Sequence, residues 1–173
     1  MQINLVISLI TRDKPGVIEK LSAVVKKHQG NWLASNFCRL SGQFAGIVEI
    51  SCPTDAKTQL SDEIAARLNH EAQIHIAEGQ DEQNLQSRRA QLSVMGNDKS
   101  GIVNQISATL AEHNVNLVRL NSTCESAPNW GSLLFKADAT LEIPETVDID
   151  DIQEALEEIA NDLIVEISLK SAE

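Results

Sequence analysis

The sequence is short of aromatic residues: they make up 3 % of its 173 positions, and tyrosine is absent. Stacking platforms for single-stranded nucleic acid are therefore nearly missing. Basic side chains are scarce too, 14 against 25 acidic ones, for a net charge of −11 at neutral pH. A chain of that sign does not grip a phosphate backbone unaided, so direct nucleic-acid binding is not expected. No apolar run approaches the roughly 18 residues of a spanning helix. Met1 to Ile10 lacks the basic lead and small-residue cleavage site of a signal peptide. Cysteine is limited to Cys38, Cys52 and Cys124, an odd number without C-x-x-C spacing. That usage suits reduced thiols better than a disulfide framework. A soluble, cytoplasmic protein is expected.

Signatures of catalysis are missing as well. The chain has no Gly-rich phosphate loop, H-E-x-x-H or G-x-S-x-G. Cys38 and Cys124 have no neighbouring histidine motif and read as buried thiols rather than nucleophiles. His70 and His75 stand five positions apart with no partner ligand at zinc spacing, so no metal is expected. The sequence points away from an enzyme and calls for no cofactor.

What is present is a repeat. Shifting the sequence by 85 lays Asp13-Lys14-Pro15-Gly16 on Asp98-Lys99-Ser100-Gly101 and gives 11 identities in the 44 pairs from Ile3 to Gly46. Among them are Ser22 with Ser107, His28 with His113, Asn31 with Asn116, Asn36 with Asn121, and Gly46 with Gly131. Beyond Gly46 the second copy carries about six extra residues. A shift of 91 then lays Pro53 on Pro144, and Ile74 and Ile76 on Val165 and Ile167.

Each copy reads alike. Leu5, Ile7 and Leu9 alternate along a strand. Asp-Lys-Pro-Gly breaks it, with Pro15 suited to the first helical position. Val17, Ile18, Leu21, Val24, Val25 and His28 form a helical stripe, which Gly30 ends. Trp32–Arg39 and Phe44–Ser51 read as a hairpin around Ser41-Gly42. Leu117–Cys124 and Gly131–Leu141 repeat it through Ser126-Ala127-Pro128-Asn129. A second helix (58–69, then 149–161) and a last strand (73–77, then 163–169) complete a βαββαβ order, written twice. The fold class is α+β: two ferredoxin-like domains in tandem, antiparallel sheets with helices on one face. Domain 1 is placed at 1–79, a polar linker at 80–89 and domain 2 at 90–173. Each half is small enough to gain from support by the other, through a sheet edge or a helix face. The acidic run from Glu145 to Glu158 reads as the approach to the last helix and its solvated face, or a contact surface for a basic partner.

Chemistry concentrates at the two strand-to-helix turns. A helix N-terminus offers free amides and a positive dipole end to a carboxylate. Gly16 and Gly101 keep a Cβ out of the way. Such turns also serve simply to start a helix. Asn31, Asn36, Asn116 and Asn121 lie at the start of, or within, the second strand of each copy. They either supply amide groups to a ligand or serve as turn and strand-edge residues. His28 and His113 read as helix-end residues.

A βαββαβ unit with Asp-x-Pro-Gly after its first strand resembles an ACT domain, the small regulatory module that binds amino acids. Two such units and little else resemble the glycine cleavage system transcriptional repressor family, Ser100 departing from the proline of the motif. The resemblance implies regulation without catalysis, with a ligand held by the strand-to-helix loop and a strand of a neighbouring module. Carried onto this chain, the loop residues are Asp13, Lys14, Pro15 and Gly16, with Asp98, Lys99, Ser100 and Gly101. It implies a small amino-acid effector, glycine first. It also implies a negative role in transcription of the glycine cleavage operon, through a partner transcription factor. A regulatory subunit of a metabolic enzyme and a purely structural dimerisation module remain open, as does a homo-oligomer.

Overall fold

A computed structural model of the chain describes residues 1–68, 70–80, 86–126 and 133–171. The chain divides into two compact units, Met1–Glu82 and Gln83–Glu173. Unit 1 runs β1 (Gln2–Arg12), α1 (Val17–Lys27), β2 (Asn31–Leu40), β3 (Gln43–Pro53), a 3-10 turn (Thr54–Ala56), α2 (Lys57–Leu68) and β4 (Ala72–Glu78). Unit 2 repeats the order as β5 (Ser87–Asn97), α3 (Ile102–Glu112), β6 (Asn116–Ser126), β7 (Leu133–Pro144), α4 (Ile149–Leu163) and β8 (Val165–Ser171).

Each unit is one antiparallel four-stranded sheet, ordered β2-β3-β1-β4 and β6-β7-β5-β8. Alternation along the central strands decides the faces. Leu5, Ile7 and Leu9 of β1 are buried with Val48, Ile50 and Cys52 of β3 under Val17, Leu21, Val24, Leu60 and Ile64 of the helices. In unit 2, Leu92 and Val94 pack with Ala137, Ala139 and Leu141 under Ile102, Ile106, Leu110, Ile152 and Leu156. One sheet face carries the helices; the other is open.

The register corrects the repeat. Leu9 pairs with Gly46, and Val94 pairs with Ala137, so Ala137 rather than Gly131 is the structural counterpart of Gly46. The shift therefore changes from 85 to 91 at the hairpin, before Gly46. Leu9 also pairs with Ile74, and Val94 with Ile167, so the last strands correspond at a shift of 93, with Ile74 on Ile167 and Ile76 on Leu169. Unit 2 has 20 residues between β7 and β8 where unit 1 has 18 between β3 and β4, which gives the change of two. Residues 127–129 of the second hairpin, Gly131, and 81–85 of the linker lie outside the described residues. Ser87–Arg89, read as linker, open β5.

Two local expectations also change. Pro15 sits in the turn before the N-cap Gly16 instead of at the first helical position. Cys38 and Cys124 are exposed, and Cys52 is the buried thiol. Both exposed cysteines lie on edge strands, each with one hydrogen-bonded neighbour. An extra residue at Leu33 and at Val118 breaks the pairing of these strands.

Candidate functional site

The β1–α1 loop is built the same way in both units. Its aspartate is tied to the hairpin: Asp13 N donates to Gly42 O at 2.9 Å, and Asp98 N to Leu133 O at 2.8 Å. The helix then starts on a glycine in the left-handed region, Gly16 at φ +92° and Gly101 at φ +99°, with no side chain capping either helix. The first intrahelical bonds run from Lys20 N to Gly16 O and from Gln105 N to Gly101 O. The amides of the first turn thus have no helical acceptor and face the positive end of the dipole. A Cβ on either glycine meets nothing within 4 Å. Glycine is needed here for its φ, and the space above the turn is open.

The bracing around the loops differs. In unit 1 the Asp13 carboxylate accepts from Arg39 Nη1 at 3.1 Å. Lys14 and Lys20 both reach Glu71, at 2.8 and 3.0 Å, so the loop is pinned to the turn before β4. Hydrogen bonds from Lys14, then Lys20, hold the Glu71 carboxyl below the usual carboxylate range. In unit 2 the residue matching Arg39 is Cys124, whose thiol lies 3.6 Å from Asp98 Oδ1. Desolvation, then the Asp98 charge, push this thiol up. Lys99 reaches a backbone carbonyl, Asp162 O, at 3.4 Å. Ser100 stands where unit 1 has Pro15.

The asparagines do not join the loops within their own units. Asn31 pairs with Ser51, whose other neighbour is Asn4, at the end of the sheet remote from Asp13. At about 3.3 Å per residue, the eight steps from Asn4 to Arg12 span about 26 Å. Asn116 occupies the same place in unit 2. Asn36 and Asn121 pair with Ile47 and Asp138, exposed residues of the open face. His28 and His113 cap α1 and α3 as expected: His28 Nε2 lies 2.8 Å from Glu63, and His113 Nδ1 lies 2.9 Å from Thr109 O. Among the described residues no group of three or more His, Cys, Asp or Glu is arranged to hold a metal.

Two features escaped the sequence reading. Arg39, Gly42 and Glu71 complete the frame of loop 1 but stand 26 or more residues from Asp13, with no local signal linking them. In unit 2 a narrow apolar recess of about 20 Å³ opens between α3 and the sheet, lined by Val103, Ile106, Leu117, Leu120 and Phe135 among others. Trp32, Phe37 and Phe44 fill the equivalent place in unit 1, with Phe37 and Phe44 stacked at 5.4 Å. Their counterparts in unit 2 are Leu117, Ser122 and Phe135.

Residues 4–77 match one model of the ACT domain and residues 84–161 match a second. No curated protein matches the chain. The solved structure of an unknown protein from Galdieria sulphuraria is 25 % identical, covers 100 % of both chains, and superposes with a TM-score of 0.91. A protein provisionally named a glycine cleavage system transcriptional repressor is 15 % identical over 100 % of this chain and 99 % of its own, with a TM-score of 0.72. That second likeness is one of fold. No helix among the described residues is long and apolar enough to cross a membrane.

Proposed function

The chain belongs to the ACT-domain family, and from that premise we propose that it is an amino-acid-sensing regulatory protein. It lowers transcription of the glycine cleavage operon by engaging a partner transcription factor, with glycine as effector. The observation that carries the sensing role is the loop geometry: two uncapped helix N-termini, each opening on a positive-φ glycine with open space above it. A carboxylate there gains charge-assisted hydrogen bonds of about 1.5–3 kcal/mol each, set against its desolvation. The adjacent aspartate accepts the ligand ammonium. Asp98 is the freer of the two, since its side-chain partner is a thiol rather than a guanidinium. The net charge of −11 supports action through a protein rather than on DNA. The transcriptional role is supported by the full-length fold shared with the provisionally named repressor.

Calorimetry with glycine is the test. Binding in the millimolar range or tighter is expected, weakened about tenfold by Gly16→Ala or Gly101→Ala, with melting confirming that each variant is folded. No heat from any common amino acid ends the sensing role. Recovery of a metabolic enzyme in place of a transcription factor from cell extract moves the reading to an enzyme's regulatory subunit.

A further inference from the structure

One corner of unit 1 gathers hydrogen-bond donors that the fold does not use. The end of β1, the start of β3 and the turn into β4 enclose a cleft of about 360 Å³, within the size range of small-molecule sites. Register sets its walls: Arg12 pairs with Gln43, and Ile10 pairs with Gln73. His70 and Glu71 border it from the turn. The buried Thr11 donates from Oγ1 to Glu71 O at 2.6 Å and fixes that turn in place.

Charge singles out Arg12. Elsewhere in unit 1, Lys14, Lys20, Lys27, Arg39, Lys57 and Arg67 each lie against a carboxylate. Arg12 has no such partner among the described residues. The side chains of Gln43, Gln73 and His70 are exposed beside it, with no hydrogen-bond partner among those residues. Glu71, the acid of the wall, is more than offset by Lys14 and Lys20 at 2.8 and 3.0 Å. A positive corner therefore stands in a chain of net charge −11. Unit 2 shows that the sheet does not need it. At the same register it has Asn97, Leu134, Ile164 and Glu166 in place of Arg12, Gln43, Glu71 and Gln73.

We propose that this cleft binds a small oxyanion, a metabolite carrying a phosphate or carboxylate group. The Arg12 guanidinium is a planar fork that takes two oxygens of either group. The Gln43 and Gln73 amides and the His70 ring supply further N–H donors to the remaining oxygens, or to hydroxyls beside them. The site is separate from the turn at Gly16, whose residues do not line the cleft. It does not rest on the sensing role of that turn.

Two-dimensional NMR of the full chain tests this, with inorganic phosphate or succinate titrated to about 50 mM at constant ionic strength. Saturable shifts are expected at the amides of residues 10–12, 43 and 71–73, with dissociation constants in the millimolar range. The anion that binds more tightly identifies the head group. Arg12→Gln weakens its binding at least tenfold. Lys26→Gln, which removes an exposed cation of α1, leaves binding unchanged, as does Gly16→Ala. Circular dichroism verifies that each variant is folded. If neither anion shifts these amides, or if the shifts survive Arg12→Gln, the proposal is overturned. An equal loss from Lys26→Gln overturns it in favour of diffuse attraction to positive charge. Loss from Gly16→Ala without loss from Arg12→Gln moves the anion to the helix terminus and overturns it as well.

Discussion

Units 1 and 2 keep the same turn and brace it by different means. Both hold an aspartate amide on the hairpin and open a helix on a left-handed glycine. Around that shared frame, unit 1 uses charge and aromatic rings. Glu63 of α2 gathers Lys27 and His28 of α1, together with Arg67, within 2.7–2.8 Å. Phe37 and Phe44 close the flank under α1. Unit 2 has Ala155 one residue before the buried Leu156, where unit 1 has Glu63 before the buried Ile64, and Ser122 in place of Phe37. The difference separates what the turn requires from what merely stabilises it. The glycine φ and the aspartate amide bond recur. The salt network and the rings do not.

The largest effect is expected where unit 1 is most tightly fitted. Gly46 pairs with Phe37, and a Cβ built on it comes within 2.5 Å of Phe37 Cδ1 and closer still to the Asn36 carbonyl. Its counterpart Ala137 carries a Cβ without difficulty because Ser122 stands opposite. Gly46→Val should cost about 2–4 kcal/mol in chemical denaturation, since both backbone and ring must move. Ala137→Gly should cost about 1 kcal/mol or less. Equal costs at the two positions would mean that the aromatic flank does not define unit 1.

A smaller effect, readable through pH, comes from the Glu63 network. Hydrogen bonds from Lys27, then His28, lower its carboxyl to about 2. A depressed folded pKa adds stability above the unfolded value of roughly 4.3, and that stability is lost as pH falls toward the folded one. Glu63→Gln should therefore lower the melting midpoint at pH 7 and converge on wild type as pH drops from about 4.5 toward 2. A constant gap across that range would assign the residue a packing role without an electrostatic one.

Much of this architecture was legible in the sequence, because the repeat and the period-2 alternation of Leu5, Ile7 and Leu9 are local patterns. The turn was legible for the same reason. Its bracing was not, since the pairing of Arg39 with Asp13 and of Lys14 with Glu71 depends on sheet register and on where α2 returns to the sheet. The bulges at Leu33 and Val118 hid the rest. Cys38 pairs with Ala45 on the open face, and Cys124 pairs with Phe135 on the helix face, so two cysteines one position out of step in the repeat point to opposite sides. The asparagines lie on the open face and, within their own units, away from the loop, because the bulges at Leu33 and Val118 keep Asn31 with Asn36, and Asn116 with Asn121, on one side of the sheet. Conserving Asn36 and Asn121 across the repeat fixed their register without bringing them to the loop.

The smallest expected effect tests whether the recess of unit 2 is simply the missing ring of unit 1. Ser122→Phe alone should destabilise, because the new ring crosses the Cβ of Ala137 much as Phe37 would cross a Cβ on Gly46. Paired with Ala137→Gly, the same ring can lie over a bare backbone and enter the space bordered by Val103, Leu117 and Phe135. At about 24 cal/mol per Å³, filling about 20 Å³ recovers only about 0.5 kcal/mol. The sign of the coupling therefore matters more than its size. A double-mutant cycle read by chemical denaturation should show the two substitutions favouring one another by at least 1 kcal/mol, even if the double variant gains little over wild type. Additive costs would mean that α3 packs over its sheet differently from α1, and that the recess belongs to unit 2's own design.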